Sequence, residues 1–200
     1  MRIAILGGSF DPPHKGHIVI AKQILKQFLL DEVWLMPCYS HPFNKRLSAP
    51  IHRLSMTKYL EEKNIKASDF EIQQKKTSFT IDTLRNLSKQ FPSYTFYWLI
   101  GSDQLPSFPK WKNWQEIIKN YHLIVFPRET ETKNLREEVK MFLSLEDIPT
   151  NIIAVDSDLL KKTDTSSTQI RKFVKEKKSI DELVPKDIKN YIVAHKLYIN

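Results

Sequence analysis

Short apolar runs alternate along this chain with stretches whose apolar residues return every three or four positions. Ile3 to Leu6 is a continuous apolar run at the start, the pattern of a strand covered on both faces. Ile18, Ala21, Leu25 and Phe28 then recur at helical spacing, which predicts a helix from about Gly16 to Leu30. Val33 to Met36 gives a second strand stopped by Pro37, Leu54, Tyr59 and Leu60 mark a second helix, and Phe70-Glu71-Ile72 reads as a third strand. Ile81, Leu84, Leu87 and Phe91 line another helix, which Pro92 ends before the most apolar strand of the chain, Thr95 to Ile100. Leu123 to Phe126 repeats that strand pattern. Leu135, Val139, Phe142 and Leu143 follow as a helix, and Ile152 to Val155 as one more buried strand. After this point the pattern changes: Ile170, Phe173 and Val174, then Ile188, Tyr191 and Ile192, predict two closing helices with no strand behind them.

Strands apolar on both faces and separated by helices specify an α/β fold. The expectation is a Rossmann-like parallel sheet with helices on both faces and right-handed crossovers, followed by a C-terminal helical subregion. No repeat, low-complexity tract or linker interrupts the 200 residues, so residues 1–200 are expected to form a single domain. No run approaches the roughly 20 apolar residues of a membrane span. The apolar run at Met1 to Gly8 is also too short for a signal peptide, so the expected location is cytoplasmic.

Composition narrows the partners. The formal charge of +8 favours anions. The lysines are scattered, however, and the runs Lys161-Lys162 and Lys175 to Lys178 resemble a solvated helix face rather than a nucleic-acid tail. The single cysteine, Cys38, excludes an internal disulfide and a cysteine-based zinc cage within one chain, and is expected to be a small buried or loop hydrophobe.

The chain has only four glycines, and three of them, Gly7, Gly8 and Gly16, surround the end of the first strand. In an open parallel sheet, ligands bind at the carboxyl ends of the strands. A loop there that leads into a helix offers backbone N–H groups to an anion. Gly7-Gly8-Ser9 suits such a phosphate cradle. His14-Lys15-Gly16-His17 sets two imidazoles three apart on one helix face, at its positive end, where each supplies N–H donors. A zinc site fits less well, since the zincin pattern places its histidines four apart around a glutamate. The P-loop pattern fails because Gly16 is followed by His17, and Gly-x-Gly-x-x-Gly is absent, which argues against hydride transfer. Ser166, Ser167 or Thr168 can cap the helix near the other end of the chain, leaving free N–H groups and Arg171 to face a phosphate. Asp11, between the loop and Pro12-Pro13, is the nearest acid and suits bracing the turn.

The segment Gly7-Gly8-Ser9-Phe10-Asp11-Pro12-Pro13-His14-Lys15-Gly16-His17 resembles the N-terminal signature of bacterial nicotinate mononucleotide adenylyltransferases, within the HxGH nucleotidyltransferase superfamily. Ser166-Ser167-Thr168-Gln169-Ile170-Arg171 is similar to the second superfamily signature. Thr77 to Leu84, Ile100-Gly101-Ser102-Asp103, Phe108-Pro109-Lys110-Trp111 and the stretch from Leu183 to Tyr198 are similar to intermediate and closing segments of the same family. The resemblance thus spans nearly the whole chain. It departs at Ser40-His41-Pro42-Phe43-Asn44-Lys45-Arg46, where the family carries Pro-Pro-His-Lys or similar, and where either Lys45 or Arg46 can reach a phosphate.

This resemblance implies adenylyl transfer from ATP to nicotinate mononucleotide, giving nicotinate adenine dinucleotide and pyrophosphate, in NAD biosynthesis. It implies catalytic roles for His14, His17 and Arg171. ATP would be held by Gly7, Gly8, Ser9, Phe10, His14, His17, Ser167, Thr168 and Arg171. The mononucleotide would be held by Ser9, Phe10, Lys45, Thr80, Asp103, Trp111 and Lys112, with Trp111 stacked on the pyridine ring and amides near Thr80 and Lys112 on its carboxylate. Trp111 and Trp114 also suit plain core positions. Mg2+ would accompany ATP, with no metal site built by the protein. Neither a nucleic-acid polymer nor a membrane is an expected partner, and a homo-oligomer is compatible with the reading. The nearest rivals are a pantetheine-phosphate or cytidylyl transferase, which share the terminal signatures, and a non-catalytic nucleic-acid binder, which leaves the histidine pair unexplained.

Overall fold

The computed structural model describes residues 1–128, 134–155 and 165–199. Six strands form one parallel sheet: β1 (Arg2–Gly8), β2 (Glu32–Pro37), β3 (Ile65–Ala67), β4 (Thr95–Gly101), β5 (His122–Phe126) and β6 (Ile152–Ala154), in the order β3-β2-β1-β4-β5-β6. The chain runs outward from β1 to β3 and then returns to lay β4 on the other side of β1. A cleft therefore opens at the carboxyl ends of β1 and β4, where the strand order reverses.

Period-two alternation builds the two covered faces. Ala4, Leu6, Tyr97, Leu99, Ile124 and Phe126 point to one layer, shared with buried residues of α1 (Lys15–Gln27), α2 (Pro50–Lys58), α7 (Ser167–Lys175) and α8 (Lys186–Ala194). Ile3, Ile5, Phe96, Trp98, Ile100, Leu123 and Val125 point to the other. There they meet α4 (Thr80–Gln90), α5 (Trp114–Asn120), α6 (Leu135–Leu143) and a 3-10 helix over Ser102–Lys110. Among the described residues, no helix is long and apolar enough to cross a membrane.

Five of the six expected strands fall where the apolar runs lie, and one does not. Phe70-Glu71-Ile72 belongs to a single helical turn, α3 (Phe70–Gln73), and the third strand is Ile65–Ala67. The three-residue edge strand, with Lys66 at its centre, is too short to show a period. It is recognised by pairing of Ile65 and Ala67 with Val33 and Leu35. The helical turn swings Glu71 inward to accept a hydrogen bond from Thr83 Oγ1 at 2.6 Å. The first helix stops at Gln27, short of Leu30. Phe28 is already extended, Leu29 is exposed, and Asp31 donates its N–H to the Arg2 carbonyl as pairing with β1 begins. Two elements had no periodic signal. Pro106 and Pro109 remove amide donors from the 3-10 segment, and α5 buries only Ile117.

Candidate functional site

The cleft is lined by the loops that leave β1, β2, β4 and β5. Close packing explains the glycine that ends β4: a Cβ on Gly101 would collide with Asp103 Oδ1 and with Arg128 Cγ, so the two charged side chains can meet across the strand end. Gly7 has the same constraint from behind, since a Cβ there would strike the Trp98 indole. Beyond Gly8 the chain turns sharply through Phe10, which holds φ of 50°, a left-handed conformation uncommon for a bulky residue. The Phe10 ring is buried and lies 4.6 Å from the His17 ring.

His14 caps α1 and His17 stands three residues later, which brings their ring centroids within 3.8 Å. The His14 backbone N–H donates to His17 Nδ1 at 3.1 Å. A neutral His17 therefore carries its proton on Nε2. Burial, then the Arg128 charge, holds the pKa of His14 at about 3. Burial, the neighbouring His14 and Arg128 likewise hold that of His17 well below the ordinary value. Both rings are thus neutral near pH 7. His14 Nδ1 is buried without a hydrogen-bond partner among the described residues, an orphan whose desolvation a bound group can offset.

The opposite end of the chain closes onto this loop. Ser166 caps α7 by accepting the Gln169 N–H at 3.2 Å, Ser167 Oγ donates to the Pro12 carbonyl at 2.8 Å, and Arg171 Nη1 donates to the Asp11 carbonyl at 2.6 Å. Arg171 Nη2 donates to Thr168 Oγ1 at 3.1 Å. Asp11 itself is buried and fully engaged. One carboxylate oxygen accepts from the Tyr198 hydroxyl at 2.6 Å and the other from the Ser48 N–H at 3.0 Å. Burial and the adjacent Asp11 push the Tyr198 pKa up. Asp11 thus braces the turn, and Gly7, Gly8, Ser9, Phe10, His14, His17, Ser167, Thr168 and Arg171 come together around one loop.

A second group assembles beside α4. Thr80 is the first residue of that helix, so the Thr80 and Ile81 amides lack intrahelical acceptors, while the Asp82 N–H donates to the Phe79 carbonyl at 3.0 Å. Lys112 Nζ lies 2.8 Å from Asp82 Oδ2 and 5.0 Å over the Phe79 ring, which ties the two candidate amide segments together. The Trp111 ring sits 4.8 Å from Phe108 at the margin of the core, and its buried Nε1 has no hydrogen-bond partner among the described residues. Asp103 pairs with Arg128 at 3.8 Å. Lys45 is exposed on the loop after β2. Its charge acts on His41, whose pKa burial, Lys45 and Arg53 hold at about 4. Cys38 is buried, and burial raises its pKa. No group of three or more His, Cys, Asp or Glu among the described residues is placed to hold a metal ion.

Three charged residues were missed by sequence reasoning. Arg53 is fully buried on α2 and donates to the carbonyls of Ser48, Ser9 and Tyr39 at 2.9, 2.8 and 2.8 Å. Glu71 is buried against Thr83, and burial raises its pKa. Arg128 borders the histidines from the end of β5. Only Arg128 had a signal, since it lies two residues beyond a buried strand of a parallel sheet.

The chain matches known proteins over nearly its full length. Residues 5–173 match the cytidylyltransferase-like family model, a span that includes both histidines and Arg171. A protein of Methylacidiphilum infernorum is 34% identical over 99% of this chain and 92% of its own length, and one of Cytophaga hutchinsonii is 35% identical over the full length of both. Both are named "Probable nicotinate-nucleotide adenylyltransferase". In structure, the chain is similar to Plasmodium falciparum nicotinic acid mononucleotide adenylyltransferase complexed with NaAD. The TM-score is 0.78 at 23% identity, covering 98% of this chain and 97% of the other. The fold and the site define a nucleotidyltransferase. Within that class, the chain belongs to the nicotinate-nucleotide adenylyltransferase family.

Proposed function

We propose that this chain joins ATP and nicotinate mononucleotide into nicotinate adenine dinucleotide, releasing pyrophosphate. The observation that carries the reading is the convergence of the glycine loop, two neutral histidines and Arg171 at the carboxyl end of β1. An oxygen of the mononucleotide phosphate attacks the α-phosphorus of ATP in line, and the bond to the pyrophosphate oxygen breaks. The protein's work in such a step is positioning and charge stabilisation. His14 and His17 offer ring N–H donors to the phosphates. Arg171, with the first-turn amides of α7, takes the leaving pyrophosphate. Mg2+ enters with the triphosphate as part of the substrate.

The base end is assigned to the α4 side. Trp111 faces the pyridine ring, amides near Thr80 and Lys112 take its carboxylate, Asp103 contacts the mononucleotide, and Lys45 approaches its phosphate. Amide donors welcome a carboxylate, whereas the carboxamide NH2 group opposes them. Each such mismatch costs about 1–3 kcal/mol. Pyrophosphate release should therefore require ATP with nicotinate mononucleotide, with nicotinamide mononucleotide poorer by roughly tenfold to hundredfold in kcat/KM. Equal use of the two mononucleotides would overturn the carboxylate assignment. No release with either would overturn the reaction.

A further inference from the structure

Arg53 presents a physical problem that packing does not solve. A guanidinium with no exposed surface has been taken entirely out of water, and its oxygen partners are three neutral carbonyls. A buried cation held this way is costly, so what it does to its partners matters. Those partners lie on the segments that frame the cleft: Ser9 in the loop after β1, Tyr39 just beyond β2, and Ser48 before α2. The planar, five-donor fork reaches all three at once, which an ammonium group cannot do in the same geometry.

Peptide geometry gives the consequence. In a trans peptide, the C=O and the following N–H point in opposite directions, and the Ser9–Phe10 bond is trans, Asp11–Pro12 being the cis bond described. Because the Ser9 carbonyl turns inward to Arg53 at 2.8 Å, the Phe10 N–H points away from the guanidinium. It meets no acceptor among the described residues. Phe10 is also the loop residue at positive φ, and that conformation persists only where its surroundings enforce it. The Phe10 ring lies 4.6 Å from the His17 ring, so the residue that carries this unpaired donor adjoins the histidine pair.

We propose that Arg53 is a positioning residue for the phosphate end of the site. By drawing the Ser9, Tyr39 and Ser48 carbonyls inward, it fixes the loop after β1 so that the Phe10 N–H is presented to an anionic phosphoryl group. Arg53 does not touch the substrate. Its charge also reaches the cleft wall, since it contributes to the lowered pKa of His41. The proposal rests on the adenylyl-transfer reading for its kinetic consequence but not for its structural one.

The test uses the full chain with Arg53→Lys and Arg53→Gln. Rate constants are measured well below each variant's thermal midpoint, and 15N-labelled protein is titrated with inorganic pyrophosphate. The expected result is a kcat lowered by about 10²-fold in Arg53→Gln, the cost of losing one preorganised donor, with partial recovery in Arg53→Lys and KM for both substrates little changed. The Phe10 amide resonance should shift with pyrophosphate in the parent protein and lose that response in the variants. A folded variant with unchanged kcat, or one whose Phe10 amide still responds, overturns the proposal. If neither variant folds, the parent protein decides alone, because an unresponsive Phe10 amide overturns it too. Absence of turnover in the parent, with the Phe10 response intact and Arg53-dependent, counts against adenylyl transfer and leaves the positioning role standing.

Discussion

The two ends of the cleft are built on different principles. Around the glycine loop the contacts are at least half-buried and reach far along the chain: Arg53 to Ser9, Arg171 to Asp11, and Tyr198 to Asp11. Around Thr80 and Trp111 the links are exposed ion pairs between nearby elements, Lys112 with Asp82 and Arg85 with Glu116. Screening by water and salt makes such surface pairs weak, whereas removing one partner from a buried network leaves a desolvated group behind. The phosphate end should therefore tolerate little change. The base end should be adjustable at small cost to the fold.

Substitutions sharpen this contrast. His17→Ala should give the largest effect, lowering kcat by about 10²–10³ while the circular dichroism spectrum is retained, because a donor aimed at developing charge is lost. An unchanged rate in the folded variant would remove His17 from the mechanism. Arg171→Ala comes next. It should raise KM for ATP far more than KM for the mononucleotide, and Arg171→Lys should restore only part of the loss because the planar fork is gone. Parallel titration of both substrates checks it, and equal shifts would put Arg171 elsewhere.

Acid provides a third test. In the folded protein His14 titrates at about 3 rather than 6.5, so between those values the unfolded chain binds a proton that the folded chain refuses. Stability present above pH 6.5 is therefore lost as the pH falls toward 3. His17, depressed in the same direction, adds to this. Thermal midpoints measured from pH 7.5 to 4.5 should decline, and His14→Gln should flatten the decline. A slope indifferent to that substitution would mean that His14 is protonated in the native state. The smallest effect belongs to the base end. Lys112→Ala should cost about 0–1 kcal/mol of stability, read as a small shift in thermal midpoint. A large loss of stability would erase the contrast between the two ends.

The same contrast explains what could be read from sequence. The phosphate end is dense in special residue types, and Gly7, Gly8, His14, His17 and Arg171 stand out because few other chemistries need them at that spacing. The sheet was legible wherever a strand is covered on both faces, since continuous apolarity is then unavoidable. It failed at Ile65–Ala67, an edge strand of three residues, and at α3, where inward-facing Glu71 breaks any apolar pattern. Arg53 escaped notice for a deeper reason. On α2 it resembles any other helical cation, and its importance depends on three carbonyls brought to it from elsewhere in the chain. Backbone acceptors leave no mark in a sequence.

The hydrogen bond from Tyr198 to Asp11 spans 187 positions, and it has a bearing on how the protein comes into being. Contacts so remote in sequence carry a large loop-closure cost and form late. During synthesis from the N-terminus, β1, β2 and β4 can pair long before α7, α8 and Tyr198 exist to hold the turn at Asp11. The sheet is then an early product and a competent turn a late one. A chain clipped before its closing helices would keep much of its core while lacking Ser167, Arg171 and the Tyr198 brace.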